Sequence, residues 1–288
     1  MRFRVSDEIE LVGDAEGDPR APAVLLLHGG GQTRHSWSGT ALRLAEAGFR
    51  AIALDLRGHG DSSWAGPRGY RIDDFAADLR AVVAEQGGAP ALVGASLGGL
   101  TSLIAAGEPP RCACSALVLV DVAPHMDPDG RDRIGEFMRA KPEGFASLEE
   151  AADSVAAFLP HRKRPRSHQG LAKNLRRHPD GRWRWHWDPA FMGGGLEESA
   201  DDPARFEAAA RALRVPTLLV RGGISDVVSK EGVRRFLEVL PSAETVDVAD
   251  AGHMVAGDQN DPFSSAVVEF LLRALGPERG RAVVAAGA

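Results

Sequence analysis

Gly94-Ala95-Ser96-Leu97-Gly98 sets a serine between two glycines. The run before it, Ala91-Leu92-Val93, is apolar, and the stretch after it, Gly99-Leu100-Thr101-Ser102-Leu103-Ile104, is small and mostly apolar. That order reads as a buried strand, a sharp turn and a helix. Such a turn strains the serine backbone, needs glycines for room, and lifts the hydroxyl to the top of a sheet beside a helix N-terminus. A serine presented in this way could attack a carbonyl carbon.

A serine hydroxyl is a weak nucleophile at neutral pH and needs a base. Two of the nine histidines stand out: His253 in Asp250-Ala251-Gly252-His253-Met254, and His28 ahead of a glycine triplet. His253 completes the chain order Ser, acid, His of one known triad arrangement. His28 does not, and is expected to make structural hydrogen bonds under its loop. A base of this kind needs a carboxylate to fix its tautomer and stabilise the imidazolium. Asp226, in Arg221-Gly222-Gly223-Ile224-Ser225-Asp226, and Asp121, directly after an apolar run, compete for that role. Asp226 is the expected acid because it lies in the loop one strand before His253. Asp121 is then read as a loop or turn cap. The oxyanion formed on attack needs preorganised donors. The N–H of Leu97, just after the nucleophile, is one; Gly30, with Gly31 next in line, is expected to give the other.

These residues need a frame. Short apolar runs recur at Val24–Leu27, Ala51–Leu54, Ala91–Val93, Leu117–Val120, Thr217–Val220 and Thr245–Val248. Most are apolar throughout, as strands covered on both faces are. Each leads into Gly, Asp or His. Between two of them, Ile72, Phe75, Ala76, Leu79, Val82 and Val83 make one apolar helical face. Strands alternating with helices imply a parallel sheet covered on both sides, with reactive groups at its carboxyl edge. From 126 to 212 the rhythm breaks. Helical patterns at Asp132–Arg139, Leu148–Phe158 and Leu171–Arg177 predict a helical insertion there.

Further motifs carry a family resemblance. His28-Gly29-Gly30-Gly31-Gln32-Thr33-Arg34-His35-Ser36-Trp37 resembles the H-G-x-P-Q-T-x-x-x-W stretch of epoxide hydrolases and dehalogenases. Asp55-Leu56-Arg57-Gly58-His59-Gly60-Asp61-Ser62 resembles the D-x-R-G-x-G-x-S signature of the same superfamily, and Asp250–His253 its histidine loop. The chain is thus similar to α/β-hydrolase-fold enzymes with a helical cap. The resemblance implies an α/β fold with a mostly parallel central sheet flanked by helices and a cap inserted after the sixth strand, the Leu117–Val120 run. It implies Ser96, Asp226 and His253 as the triad, and Gly30 and Leu97 as the oxyanion donors. Two departures matter: those relatives attack with Asp where this chain has Ser96, and their Pro is here Gly31. A serine points to acyl transfer on a carboxylic ester or lactone. A lyase or haloperoxidase/perhydrolase on the same triad, and a small-molecule receptor that keeps the triad, are the alternatives.

The expected domains are a core of 1–125 and 213–276, a cap of 126–212 and a flexible tail of 277–288. His35, Trp37, Trp185, Trp187 and Met254 are the expected pocket residues, since pockets between layers are apolar and aromatic. The basic run His161–Arg166 reads as a solvated cap face. The 288 residues carry a formal net charge of −6, which argues against nucleic acid as a partner. No apolar run is long enough to span a membrane and no secretory leader pattern opens the chain, so a cytoplasmic location is expected. Cys112 and Cys114 read as free thiols, and no motif implies a metal or cofactor.

Overall fold

The computed structural model describes residues 1–160, 168–193, 195–253 and 260–276. Among the described residues ten strands form: β1 (Arg2–Arg4), β2 (Glu10–Glu16), β3 (Ala23–Leu27), β4 (Arg50–Leu54), β5 (Ala91–Ala95), β6 (Ala116–Val120), β7 (Leu175–Arg177), β8 (Trp183–Trp185), β9 (Thr217–Gly222) and β10 (Glu244–Val248). Eight of them make one sheet in the order β1-β2-β4-β3-β5-β6-β9-β10. From β4 to β10 every pairing is parallel, while β1 and β2 add an antiparallel edge. The six apolar runs fall on the parallel strands. β1 and β2, which carry Arg2, Arg4, Glu10, Asp14 and Glu16, were not expected from the sequence.

Side-chain alternation divides the interior. Leu25, Leu27, Ile52, Leu54, Leu117 and Leu119 point to one face of the sheet. There they meet α2 (Ile72–Gln86) and α3 (Leu97–Gly107). Val24, Leu26, Ala51, Ala53, Val118 and Val120 point to the other. That face is covered by α1 (Ser38–Glu46) and by the helix Asn260–Leu275, through Leu44, Phe263, Val267 and Phe270. Each such buried side chain contributes roughly 1.5–3 kcal/mol of transfer free energy. The burial holds the sheet rigid beneath its carboxyl-edge loops.

The segment after β6 holds α4 (Pro128–Arg139), α5 (Leu148–Phe158), α6 (Gln169–Ala172) and α7 (Gly195–Ala200). Leu171–Arg177, expected as a helix, is instead the end of the short α6 followed by strand β7. β7 pairs antiparallel with β8 in a two-stranded ribbon, so the insertion is not wholly helical. The reason is tertiary: Leu175 is buried against the aromatic Phe145, Trp183 and Trp185 cluster, which a strand reaches by alternation. α8 (Pro203–Ala212) packs on α3, burying Phe206, Ala209 and Ala210 in the main core rather than over the site. Cys112 and Cys114 are free and half-buried, and burial pushes the Cys114 thiol up to about 12.

Candidate active site

Ser96 joins β5 to α3 with φ 47° and ψ −113°. A non-glycine residue held there costs about 1–3 kcal/mol and persists because its surroundings over-determine it. The flanking glycines are part of that constraint. A Cβ on Gly98 would run into the backbone of Leu27, and one on Gly94 into the backbone of Gly98. The Ser96 N–H donates to Val120 O at 3.1 Å, tying the turn to the end of β6. Leu97 begins α3, so its N–H is one of the donors a helix start leaves unused.

His253 Nδ1 lies 2.8 Å from Asp121 Oδ2. A carboxylate oxygen accepts, so Nδ1 carries the proton and Nε2 is left as the basic nitrogen. Asp121 is fully buried at the end of β6 and accepts two further bonds, from the Gly222 N–H at 2.9 Å and from the Ser225 hydroxyl. This corrects the expectation for Asp226. Its carboxylate is about two-fifths exposed and pairs with Arg133 of α4, the Arg133 Nε donating at 2.7 Å. The cause is the order of strands in space. β6 lies between β5 and β9, so the residue just past Val120 sits between the serine turn and β9. Asp226 comes four residues beyond the end of β9, in a turn whose backbone packs against Gly130 of α4.

The glycine loop after β3 is held by two histidines. His28 Nε2 accepts from the Leu56 N–H at 3.0 Å, so its Nδ1–H donates to Gly29 O at 2.7 Å. His59 Nε2 accepts from the Gly31 N–H at 3.0 Å, and its Nδ1–H donates to Arg57 O at 2.9 Å. Burial drives the His28 pKa down to about 4. Burial, with His28 close by, drives that of His59 to about 3. Both rings are therefore neutral, with a fixed tautomer. The Gly29 N–H goes to Gln32 Oε1 at 3.1 Å. Of the three glycine amides that leaves Gly30, and among the described residues neither the Gly30 nor the Leu97 N–H meets an acceptor. The replacement of the relatives' Pro by Gly31 also has a backbone reason: φ there is +75°, a value closed to proline.

The D-x-R-G-x-G-x-S stretch is a structural hub. Asp55, fully buried, accepts the Arg34 N–H at 2.7 Å and pairs with its guanidinium. Arg57 forks onto Asp78 at 2.6 and 2.5 Å. This loop also stitches the insertion to the core: the Gly60 N–H donates to His186 O, and the Asp188 N–H to Gly58 O, each at 2.8 Å. Between those two bonds sits Trp187, stacked on Trp185 at 5.1 Å with the rings 8° apart.

Ser96, His253, Trp37, Trp185 and Trp187 line one cavity of about 160 Å³ between the sheet edge and the insertion. Its outer wall is apolar, from Ile134, Phe137 and Met138 of α4, Phe158 of α5 and the tryptophan pair. Ser96 and His253 make no hydrogen bond to each other here; catalytic pairs often tighten only around substrate. His35, expected in the pocket, does not line it; its Nδ1 lies 3.9 Å from Asp14. Met254, the basic run His161–Arg166 and the tail 277–288 lie outside the described residues. Gln32, part of the glycine-loop motif, and Asn174, which belongs to no motif, also line the cavity and were not among the expected pocket residues. Among the described residues, no cluster of His, Cys, Asp and Glu could hold a metal ion, and no helix is long and apolar enough to cross a membrane.

A family model described as the alpha/beta hydrolase fold matches residues 22–258. The chain is 33% identical over 246 residues to esterase Rv0045c of Mycobacterium tuberculosis, covering 83% of this chain and 79% of that protein. It is 28% identical over 250 residues to a 3-hydroxybutyrate-oligomer hydrolase of Cupriavidus necator, covering 82% and 84%. The solved structure of E-2-(acetamidomethylene)succinate hydrolase superposes with a TM-score of 0.82 over 94% of this chain and 98% of that one, at 24% identity, a likeness of fold.

Proposed function

The chain belongs to the alpha/beta hydrolase fold family, and on that premise we propose that it is a serine hydrolase cleaving a carboxylic ester or lactone. One observation carries the reading. A serine held at positive φ lines the same cavity as a histidine whose far nitrogen rests on a buried carboxylate. The esterase and hydrolase names of the relatives support the same class of bond.

In this reading His253 Nε2 takes the Ser96 proton as Oγ attacks the carbonyl carbon. The oxyanion of the tetrahedral intermediate is held by the Gly30 and Leu97 N–H groups. Collapse breaks the bond to the alkoxy oxygen, which leaves with the proton from His253, and Ser96 holds the acyl group as an ester. Water then gives a proton to His253, attacks that ester and releases the acid, while the proton returns to Ser96 Oγ. Asp121 keeps the proton on Nδ1 and stabilises the imidazolium formed in each half-reaction. Attack on an epoxide or alkyl halide would leave an ether on Ser96, which has no carbonyl for water to attack. The cavity volume suits a compact apolar group, because an engineered apolar cavity of roughly 150 Å³ holds a benzene.

The test is a panel of esters, lactones, epoxides and haloacids with product followed by chromatography. Multiple turnovers of esters or lactones are expected, abolished in Ser96→Ala. Sustained turnover of an epoxide or haloacid with esters untouched, or ester turnover at the parent rate in Ser96→Ala, would refute it.

A further inference from the structure

Among the described residues two carboxamides line the cavity, and both have their oxygen engaged. Gln32 Oε1 accepts the Gly29 N–H at 3.1 Å. A backbone N–H can only donate, so this bond fixes which end of the Gln32 amide is which. Asn174, in the turn between α6 and β7, presents Oδ1 to the hydroxyl of the buried Thr33 at 2.8 Å. Each residue is therefore left with a free NH₂ end. Neither Gln32 Nε2 nor Asn174 Nδ2 has an acceptor among the described residues, and neither is sealed from the cavity or solvent.

The two amides come from opposite sides, Gln32 from the glycine loop of the core and Asn174 from the insertion. Both are anchored around Thr33 and the glycine loop. Gln32 is also close to the reacting centre: its Oε1 and the Ser96 Cβ each lie 3.4 Å from where a Gly29 Cβ would stand. Of the other polar side chains that line the cavity, Ser36 donates its hydroxyl to Thr33 O at 2.9 Å and accepts from neither amide. Among the described residues, the polar side of the cavity thus offers fixed, uncharged amide donors near Ser96 and is lined by no lysine or arginine.

We propose that Gln32 and Asn174 select esters that carry a second hydrogen-bond acceptor oxygen a few atoms from the scissile carbonyl. The proposal rests on the serine-hydrolase reading and narrows its substrate class. A site built with fixed donors discriminates against an isostere that lacks the matching oxygen, because the donors then lose water without gaining a partner. The apolar wall holds the carbon skeleton, and the amide pair sets which skeleton is accepted.

The experiment compares matched 4-nitrophenyl esters differing by CH₂ against O: butyrate against methoxyacetate, and pentanoate against 3-methoxypropanoate. Each kcat/KM is divided by the hydroxide-catalysed rate of the same ester, which removes intrinsic reactivity. The oxygen-bearing member of at least one pair is expected to be preferred about tenfold. Gln32→Glu and Asn174→Asp each keep the acceptor that holds Gly29 or Thr33 and remove the NH₂ donors. Each should bring that normalised ratio down toward one, with thermal unfolding confirming that the variant is folded. Normalised ratios near one for both pairs in the parent protein would overturn the proposal while leaving the hydrolase reading intact. So would variants that keep the parent preference. Turnover of neither pair would sink the hydrolase reading and the proposal together.

Discussion

The loops after β6 and β9 each set an aspartate at the same edge of the sheet, and they use it in opposite ways. Asp121 stands directly at the strand end, buried, with a backbone amide, a hydroxyl and His253 all donating to it. Asp226 stands farther along a turn, partly in water, on the guanidinium of Arg133. That arginine also donates to Phe158 O at 3.0 Å and lies over the Phe158 ring, so Asp226 ties the core to the wall of the cavity. A carboxylate that must orient a base needs fixed donors and exclusion from solvent. One that clips two elements together does not. Burial and donor count, rather than place in the chain, separate the two roles.

That contrast can be broken experimentally, and the largest effect should come from the buried aspartate. Asp121→Asn keeps the shape but favours the wrong histidine tautomer, and should lower kcat for ester hydrolysis by about 10⁴-fold. Loss of that size in Asp226→Asn instead would reverse the assignment. Ser225→Ala removes one donor to the Asp121 carboxylate and should lower kcat by about tenfold, with KM little changed. A Ser225→Ala enzyme with parent kcat would mean that Asp121 is held by its other two donors alone.

The glycine loop gives a pH test. The folded pKa values of His28 and His59 lie near 4 and 3, below the ordinary value of 6.5. Between those limits the unfolded chain binds protons that the folded chain refuses, so stability falls as pH drops. The contribution is fully present above about 6.5 and is lost progressively as pH falls toward 4 and 3. The melting temperature should fall across this window, and His59→Gln should flatten the slope. An unchanged slope in that variant would show that His59 does not contribute to the acid sensitivity. The smallest effect is expected at Asp226: Asp226→Asn breaks a partly exposed ion pair worth roughly 0.2–1 kcal/mol. It should shift the unfolding midpoint slightly and change kcat by less than about threefold.

The site was legible where its geometry is encoded locally. Ser96 sits in a turn whose glycines and flanking strand and helix are all within a few residues of it, and His253 follows a strand in a short glycine loop. The pairing of His253 with Asp121 is not local. It depends on β6 lying next to β5, and nothing in the spacing of Asp121 or Asp226 carries the strand order. The same holds for β7: Leu171–Arg177 has helical spacing, but contacts with Phe145 and Trp185 favour a strand. Gln32 had one readable signal, an amide three residues after a glycine inside the loop motif. Asn174 had none, since its role depends on the insertion folding back onto Thr33.

The proposed passage of an acyl group through Ser96 can be tested by trapping that ester. The enzyme is mixed with a slowly deacylating 4-nitrophenyl ester, quenched in acid within the first turnover, and digested for mass spectrometry. A burst of one 4-nitrophenolate per enzyme and one acyl mass increment on the peptide containing Ser96 are expected, both absent in Ser96→Ala. Steady hydrolysis with no acylated peptide under any quench time, or the increment on another residue in an active enzyme, would contradict it.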